Sequence, residues 1–171
     1  MALKSSVTVK LGTGNTSSAL ASTAADRKRR AVSEVAQLVL FRGLPGAGKT
    51  TMAQVLMAIG YKHFEADTYF VVNGKYQYEK SKLWEAHEMC KMNTQQALLI
   101  GERVVVSNTF TRRADIQPYL EMGAESIQIV EATGKWQSVH NVSPVTVRRM
   151  ASQWETLPPS IIGIKSPRSA R

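Results

Sequence analysis

An α/β fold, built on a parallel sheet of four or five strands with helices on both faces, is the architecture this sequence predicts. Three observations carry the prediction. The first is a strand–loop–helix unit centred on Gly43-Leu44-Pro45-Gly46-Ala47-Gly48-Lys49-Thr50. The second is the alternation of short apolar runs with helix-length stretches after that unit, which implies crossover connections and a parallel sheet covered on both sides. The third is size: 171 residues, 43% of them hydrophobic, suffice for one domain with its own core.

The eight central residues fit G-x-x-x-x-G-K-[ST], the P-loop, so the predicted class is a P-loop NTPase. Glycines let the backbone curl around phosphates. Its N–H groups then form an anion nest at the positive end of the following helix. On this reading residues Gly43 to Thr51 bind ATP, with Lys49 on the β- and γ-phosphates and Thr50 offering its hydroxyl to Mg²⁺. The motif requires a strand before it and a helix after it. Gln37–Arg42 is an apolar run of strand length, and Lys49–Ile59, closed by Gly60, reads as a helix with Met52, Val55, Leu56 and Ile59 on one face.

The remaining elements follow in order. Tyr61–Asp67 reads as a short second strand ending in an acid, with Glu65 alternating to the strand's other side. Asn73-Gly74, between Tyr69–Val72 and Lys75–Tyr78, is a hairpin signal. A long helix over about 80–100 presents Leu83, Ala86, Cys90, Thr94, Ala97 and Leu98 inward and stops at Gly101, with His87 a structural histidine at the border of that stripe. Arg103–Ser107 reads as a buried third strand. Thr111 caps a short helix running to Met122, Ser126–Glu131 is a fourth strand, and Ser143-Pro144 opens a last helix reaching about Glu155. Trp84, Trp136 and Trp154 read as packing residues.

Composition restricts the function classes. No apolar run approaches the ~20 residues that span a bilayer, so a membrane protein is not expected. Nor does a continuous apolar segment follow the early lysines as in a secretory signal. Cys90 stands alone, which excludes an internal disulfide framework and fits the cytoplasm. One Cys and the scattered His63, His87 and His140 offer no metal-ligand cluster. The net charge of +9 sits mainly at the ends: residues 1–36 carry six basic and two acidic side chains, residues 157–171 three basic and none acidic. The predicted organisation is therefore a flexible basic arm over 1–36, an ATP-binding domain over 37–157, and a basic tail over 158–171. Solvated tails and polyanion-binding tails both fit that charge.

Ligands on such sheets sit at the carboxyl ends of the strands. That rule selects the P-loop, Asp67, and Ser107-Asn108-Thr109 as three walls of one rim. Asp67 suits a base that takes the proton of an acceptor hydroxyl; capping a turn or holding Mg²⁺ through water are its alternative roles. Tyr69, Phe70, Tyr76 and Tyr78 could stack on bases or simply pack the hairpin. Arg112 and Arg113 could face an acceptor groove or begin a solvated helix.

Taken together, Phe41–Thr50, Glu65-Ala66-Asp67-Thr68-Tyr69-Phe70, Ala86-His87-Glu88, Val106–Thr111 and Val139–Ser143 resemble the P-loop kinases related to bacteriophage polynucleotide 5′-kinase. That group includes short single-domain AAA/zeta-like ATP-binding proteins of phages and bacteria. The resemblance spans about residues 37–157. It implies that Lys49 and Thr50 are the phosphate lysine and metal hydroxyl, and that Asp67 is the catalytic base. It places Asn108 where the phage enzyme has an acceptor-contacting aspartate. It also shows departures: Phe70 replaces an arginine three positions after the base, and Gln137–Asn141 lacks the lid arginine, for which Arg148 or Arg149 could substitute. His140, near that lid region, could be a phosphate contact. The implied cofactors are ATP and Mg²⁺, the implied partners ATP and nucleic-acid ends, and the implied location the cytoplasm, that of the host if the chain is phage-encoded. Three readings follow: a kinase acting on a hydroxyl such as a nucleic-acid 5′ end, a small-molecule kinase, and a non-catalytic ATP-binding adaptor.

Overall fold

The computed structural model describes residues 37–137 and 142–158. The arm over 1–36, His140 and the tail beyond Pro158 lie outside the described residues. Within them the order is β1 (Leu38–Arg42), α1 (Lys49–Ala58), β2 (Lys62–Phe64), a hairpin of β3 (Val71–Val72) and β4 (Lys75–Tyr76), α2 (Leu83–Leu99), β5 (Val104–Asn108), α3 (Arg113–Leu120), β6 (Ile127–Glu131) and α4 (Pro144–Ser152).

Four strands form a parallel sheet in the order β2-β5-β1-β6. Side-chain alternation explains its two covers. Leu38, Leu40, Val104, Val106 and Ile129 point to one face, where they meet Ala86, Cys90, Ala97 and Leu98 of α2 and Ile116 and Tyr119 of α3. Val39, Phe41 and Val105 point to the other and meet Ala53 of α1 together with Tyr61. With both faces covered, β1 and β5 are buried along their whole length, which is why they read as continuous apolar runs.

Two chain reversals depend on backbone conformation. Asn73 and Gly74 both have positive φ, 50° and 75°, the geometry of a type I′ turn, so the hairpin forms as its sequence predicts. Ser143 caps α4, its side chain accepting from Thr146 N–H, with Pro144 in the first turn, also as predicted.

Four expectations need correction. In α1 the predicted apolar face is outside: Met52, Val55 and Ile59 are 36%, 65% and 57% exposed, while Ala53 is fully buried. The P-loop that starts this helix fixes its rotation, so the small Ala53 docks on the sheet and the larger residues turn outward. Leu83 likewise stands outside the inner stripe of α2, which otherwise holds from Ala86 to Leu98. Helix α3 is closed by Asp115 rather than Thr111: its carboxylate accepts from Arg112 N–H at 3.0 Å, and Thr111 Oγ1 donates to it at 3.4 Å. Trp84 and Trp136 are 72% and 70% exposed, although Trp136 rests part of its ring on Gly134 and Gly48, and Trp154 is the more buried of the three.

Trp154 packs on a charge. Arg42, the last residue of β1, has no exposed surface, and its guanidinium lies 3.9 Å from the Trp154 ring. Arg42 Nη2 donates to the carbonyls of Glu155 at 2.9 Å and Thr111 at 3.4 Å, whereas Nε and Nη1 have no hydrogen-bond partner among the described residues. Burial lowers its pKa, against the opposing charges of Glu131, Asp115 and Glu155. Arg113 fastens the same segment from α3, its N–H donating to Glu155 Oε2 at 2.8 Å and its side chain to the Thr156 carbonyl at 3.1 and 3.3 Å.

Candidate functional site

The P-loop spans the gap between β1 and α1. Gly48 has φ +89°, a left-handed conformation open to glycine. Gly43 is needed for closeness: a Cβ there would stand 2.8 Å from the Ala132 carbonyl oxygen. The loop is held from both sides, by Gly43 N–H donating to the Thr109 carbonyl at 3.2 Å and by Trp136 N–H donating to the Gly46 carbonyl at 2.9 Å. Lys49 Nζ donates to the Leu44 carbonyl at 3.1 Å. Burial lowers the Lys49 pKa, and the charges of Asp67 and Glu65 oppose that shift.

Asp67 sits differently from its sequence reading. Strand β2 ends at Phe64, and Asp67 is the second residue of a 3₁₀ turn, Ala66–Phe70. The turn is anchored where Ala66 N–H donates to Asn108 Oδ1 at 2.9 Å and by Phe70, 2% exposed in the core. Tyr76, reaching back from the hairpin, donates its hydroxyl to Asp67 Oδ1 at 3.2 Å. Burial first, then the Asp67 charge, raises the Tyr76 pKa well above the ordinary tyrosine value, so it remains a donor at neutral pH.

Glu65 is the main correction. Strand alternation would turn it away from the site, yet the strand has ended before it. Its Oε2 accepts from Thr50 Oγ1 at 3.1 Å and from Ser107 Oγ at 2.9 Å. His63 Nε2 lies 2.7 Å from Ser107 Oγ and 3.6 Å from the same Glu65 oxygen. Burial lowers the His63 pKa, and Glu65 partly opposes it.

The other sequence-selected residues are placed as follows. Thr50 and Thr51 are exposed at the start of α1. Asn108 is 6% exposed, its amide nitrogen directed at Cys90 Sγ at 3.5 Å and its oxygen at Ala66. Arg149 lies exposed in the last turn of α4, with Arg148 exposed beside it. Arg112 and His87 are also exposed. Glu65, His63 and Trp136 are the residues the sequence reading did not bring to the rim, whereas Tyr76, read there as a stacking or packing residue, instead hydrogen-bonds Asp67. A visible signal existed for Trp136, since Gly134 two residues earlier leaves space for its ring, which would lie 1.7 Å from a Cβ at that position.

Hydroxyl, carboxylate and ammonium groups thus converge at the carboxyl ends of β1, β2 and β5. Thr50 and Glu65 provide hard oxygen donors of the kind Mg²⁺ accepts. Among the described residues no group of three or more His, Cys, Asp or Glu side chains could hold a metal unaided, and no helix is long and apolar enough to cross a membrane.

Comparison with known proteins bears on the fold and the family. Two solved structures share the fold: a sugar kinase from Janibacter sp. HTCC2649, with TM-score 0.57 and 16% identity over 76% of this chain and 84% of that one, and a gluconokinase from Sinorhizobium meliloti 1021, with TM-score 0.50 and 16% identity over 69% of this chain and 74% of that one. The architecture is therefore one that these two kinases share. In sequence, the chain is 27% identical over 133 residues to human NEDD4-binding protein 2, an alignment that takes in 69% of this chain but spans only 8% of that protein. A family model described as an AAA domain matches residues 38–132, a stretch that includes the P-loop, Glu65, Asp67, Tyr76 and Ser107. With more than half of its residues inside that match, the chain belongs to the AAA domain family.

Proposed function

We propose that this protein is an ATP-dependent kinase that transfers the γ-phosphate to a hydroxyl acceptor. The observation that carries the reading is the hydrogen bond from Thr50 Oγ1 to Glu65 Oε2 at 3.1 Å, which ties the end of the P-loop to the residue that leads into the turn bearing Asp67. A kinase site needs a phosphate clamp and a group that takes the acceptor proton, facing each other over a short distance. The P-loop amides and Lys49 form the clamp. Thr50 offers the hydroxyl that would hold Mg²⁺, which neutralises phosphate charge when bound.

Asp67 is the base. The acceptor hydroxyl gives its proton to the carboxylate, its oxygen bonds to the γ-phosphorus, and the bond to the bridging oxygen breaks to leave ADP. Tyr76, by donating to Oδ1, leaves Oδ2 in a fixed direction for the incoming proton. Arg149, Asn108 and Thr51 complete the set of residues assigned from sequence, Arg149 as the lid cation and Asn108 as support for the turn that carries Asp67.

Two classes of acceptor remain in view, a nucleic-acid 5′-hydroxyl and a small polyhydroxy compound. The inward positions of Phe70 and Asn108 favour the second, because both stand where the resembling kinases contact a nucleic-acid end. The fold shared with a sugar kinase and a gluconokinase points the same way. The test is transfer of labelled γ-phosphate to a 5′-hydroxyl oligonucleotide and, in parallel, to a panel of sugars and sugar acids. Transfer to a member of the panel but not the oligonucleotide is expected. Transfer to the oligonucleotide alone would reverse the choice of acceptor, and tight ATP binding with no transfer would make the chain an adaptor.

A further inference from the structure

In P-loop phosphotransferases the loop hydroxyl usually shares its cation with a carboxylate from a neighbouring strand. Of the two strands beside β1, β5 ends Ser107-Asn108 with no acid, and β6 ends in the exposed Glu131, whose charge acts on the buried Arg42. The carboxylate that meets the Thr50 hydroxyl is instead Glu65, one strand further out, after the end of β2. It crosses β5 by way of the Ser107 hydroxyl, which donates to the same Oε2. His63 stands against Ser107 at 2.7 Å and so buttresses that hydroxyl from the edge of the sheet. The Glu65 side chain is 19% exposed, so its charge is held at the site rather than spread into solvent. Its charge also reaches Lys49.

We propose that Glu65 supplies the acidic side chain of a divalent-cation site that is completed by nucleotide phosphates, with Ser107 as its positioning residue. This rests on the reading of Gly43–Thr50 as a nucleotide site. One hydroxyl and one carboxylate are the protein share of ligands that Mg²⁺ commonly takes beside phosphates and water. Since no group of three or more acidic, His or Cys side chains is available among the described residues, the cation needs the nucleotide and the nucleotide gains from the cation. Coupling between the two is therefore the quantity to measure.

The experiment titrates the 171-residue chain with a fluorescent ATP analogue, once in excess EDTA and once in excess Mg²⁺, and takes the ratio of the two affinities. Wild type should bind more tightly with Mg²⁺, by a coupling on the order of tenfold. Glu65→Gln keeps an amide oxygen that accepts from Thr50 and Ser107 but removes the charge. It should bind the metal-free nucleotide at least as well, having one negative charge fewer beside the phosphates, and lose most of the Mg²⁺ ratio. Glu65→Asp should recover part of the ratio, and Ser107→Ala should fall between. An unchanged ratio in Glu65→Gln, with nucleotide binding intact, overturns this proposal alone. If wild type binds no nucleotide under either condition, the nucleotide reading fails and takes the proposal with it.

Discussion

Replacing Phe70 by arginine restores the residue that the resembling polynucleotide kinases carry three positions after the catalytic aspartate, and a sequence argument would expect improved handling of a nucleic-acid end. The structure predicts the reverse. Phe70 is 2% exposed and meets three rings edge-on or tilted: Tyr69 at 5.4 Å, Tyr76 at 6.2 Å and Tyr78 at 5.1 Å between centroids. Truncating such a residue to alanine costs about 3–5 kcal/mol. Arginine adds the penalty of a buried charge with no counter-ion, so Phe70→Arg should lose at least as much. Set against a total stability of about 5–15 kcal/mol, that is a large share. The urea midpoint should fall by ~1–5 M, taking a slope of about 1–3 kcal/mol per molar. Phe70→Ala is the companion, isolating lost packing from added charge. Both are measured by far-UV circular dichroism in urea. A wild-type midpoint in Phe70→Arg would refute the packing role of Phe70, and a gain of activity on 5′-hydroxyl oligonucleotides would in addition restore the nucleic-acid acceptor.

Two further outcomes follow from single contacts. Tyr76→Phe removes the hydroxyl that donates to Asp67 Oδ1 at 3.2 Å, a half-exposed bond to a charged acceptor worth about 1 kcal/mol. It should lower kcat by roughly fivefold and leave nucleotide affinity in place; an unchanged kcat would show that the carboxylate needs no such support. His63 is held below its ordinary pKa of 6.5 by burial, so the unfolded chain takes up a proton there at a higher pH than the folded one. The stability tied to this site is complete above about pH 6.5 and is lost as the pH falls from there toward the folded value. Between roughly pH 8 and 5.5, wild type should therefore lose more thermal stability than His63→Asn, and an equal loss would contradict the assignment.

What the sequence made legible was whatever obeys a period or a turn rule. The Val104–Val106 run, the Ala86–Cys90–Thr94–Ala97 stripe, the Asn73-Gly74 turn and the Ser143-Pro144 cap all say locally what they do globally. The illegible parts depend on where an element stops or how it is rotated. Strand β2 ends at Phe64 without a glycine or proline to mark it, and that one missing stop sign turned Glu65 from the rim to the back in the sequence reading. Helix α1 has its larger apolar residues outside because the P-loop, not hydrophobicity, sets its rotation. Arg42 reads as the polar end of a strand, whereas tertiary packing places Trp154 over it. Around the rim, then, the donor side was written in a motif and the acceptor side only in contacts.

The central claim is that Lys49 and Asp67 divide the work of phosphoryl transfer, and one comparison tests it directly. Nucleotide affinity and γ-phosphate transfer are measured side by side for wild type, Lys49→Ala and Asp67→Asn, with the acceptor that the panel identifies. Lys49→Ala should lose affinity and transfer together. Asp67→Asn should keep its affinity and lose at least ~100-fold in transfer, the usual contribution of a positioned general base. Undiminished transfer by Asp67→Asn would contradict the account.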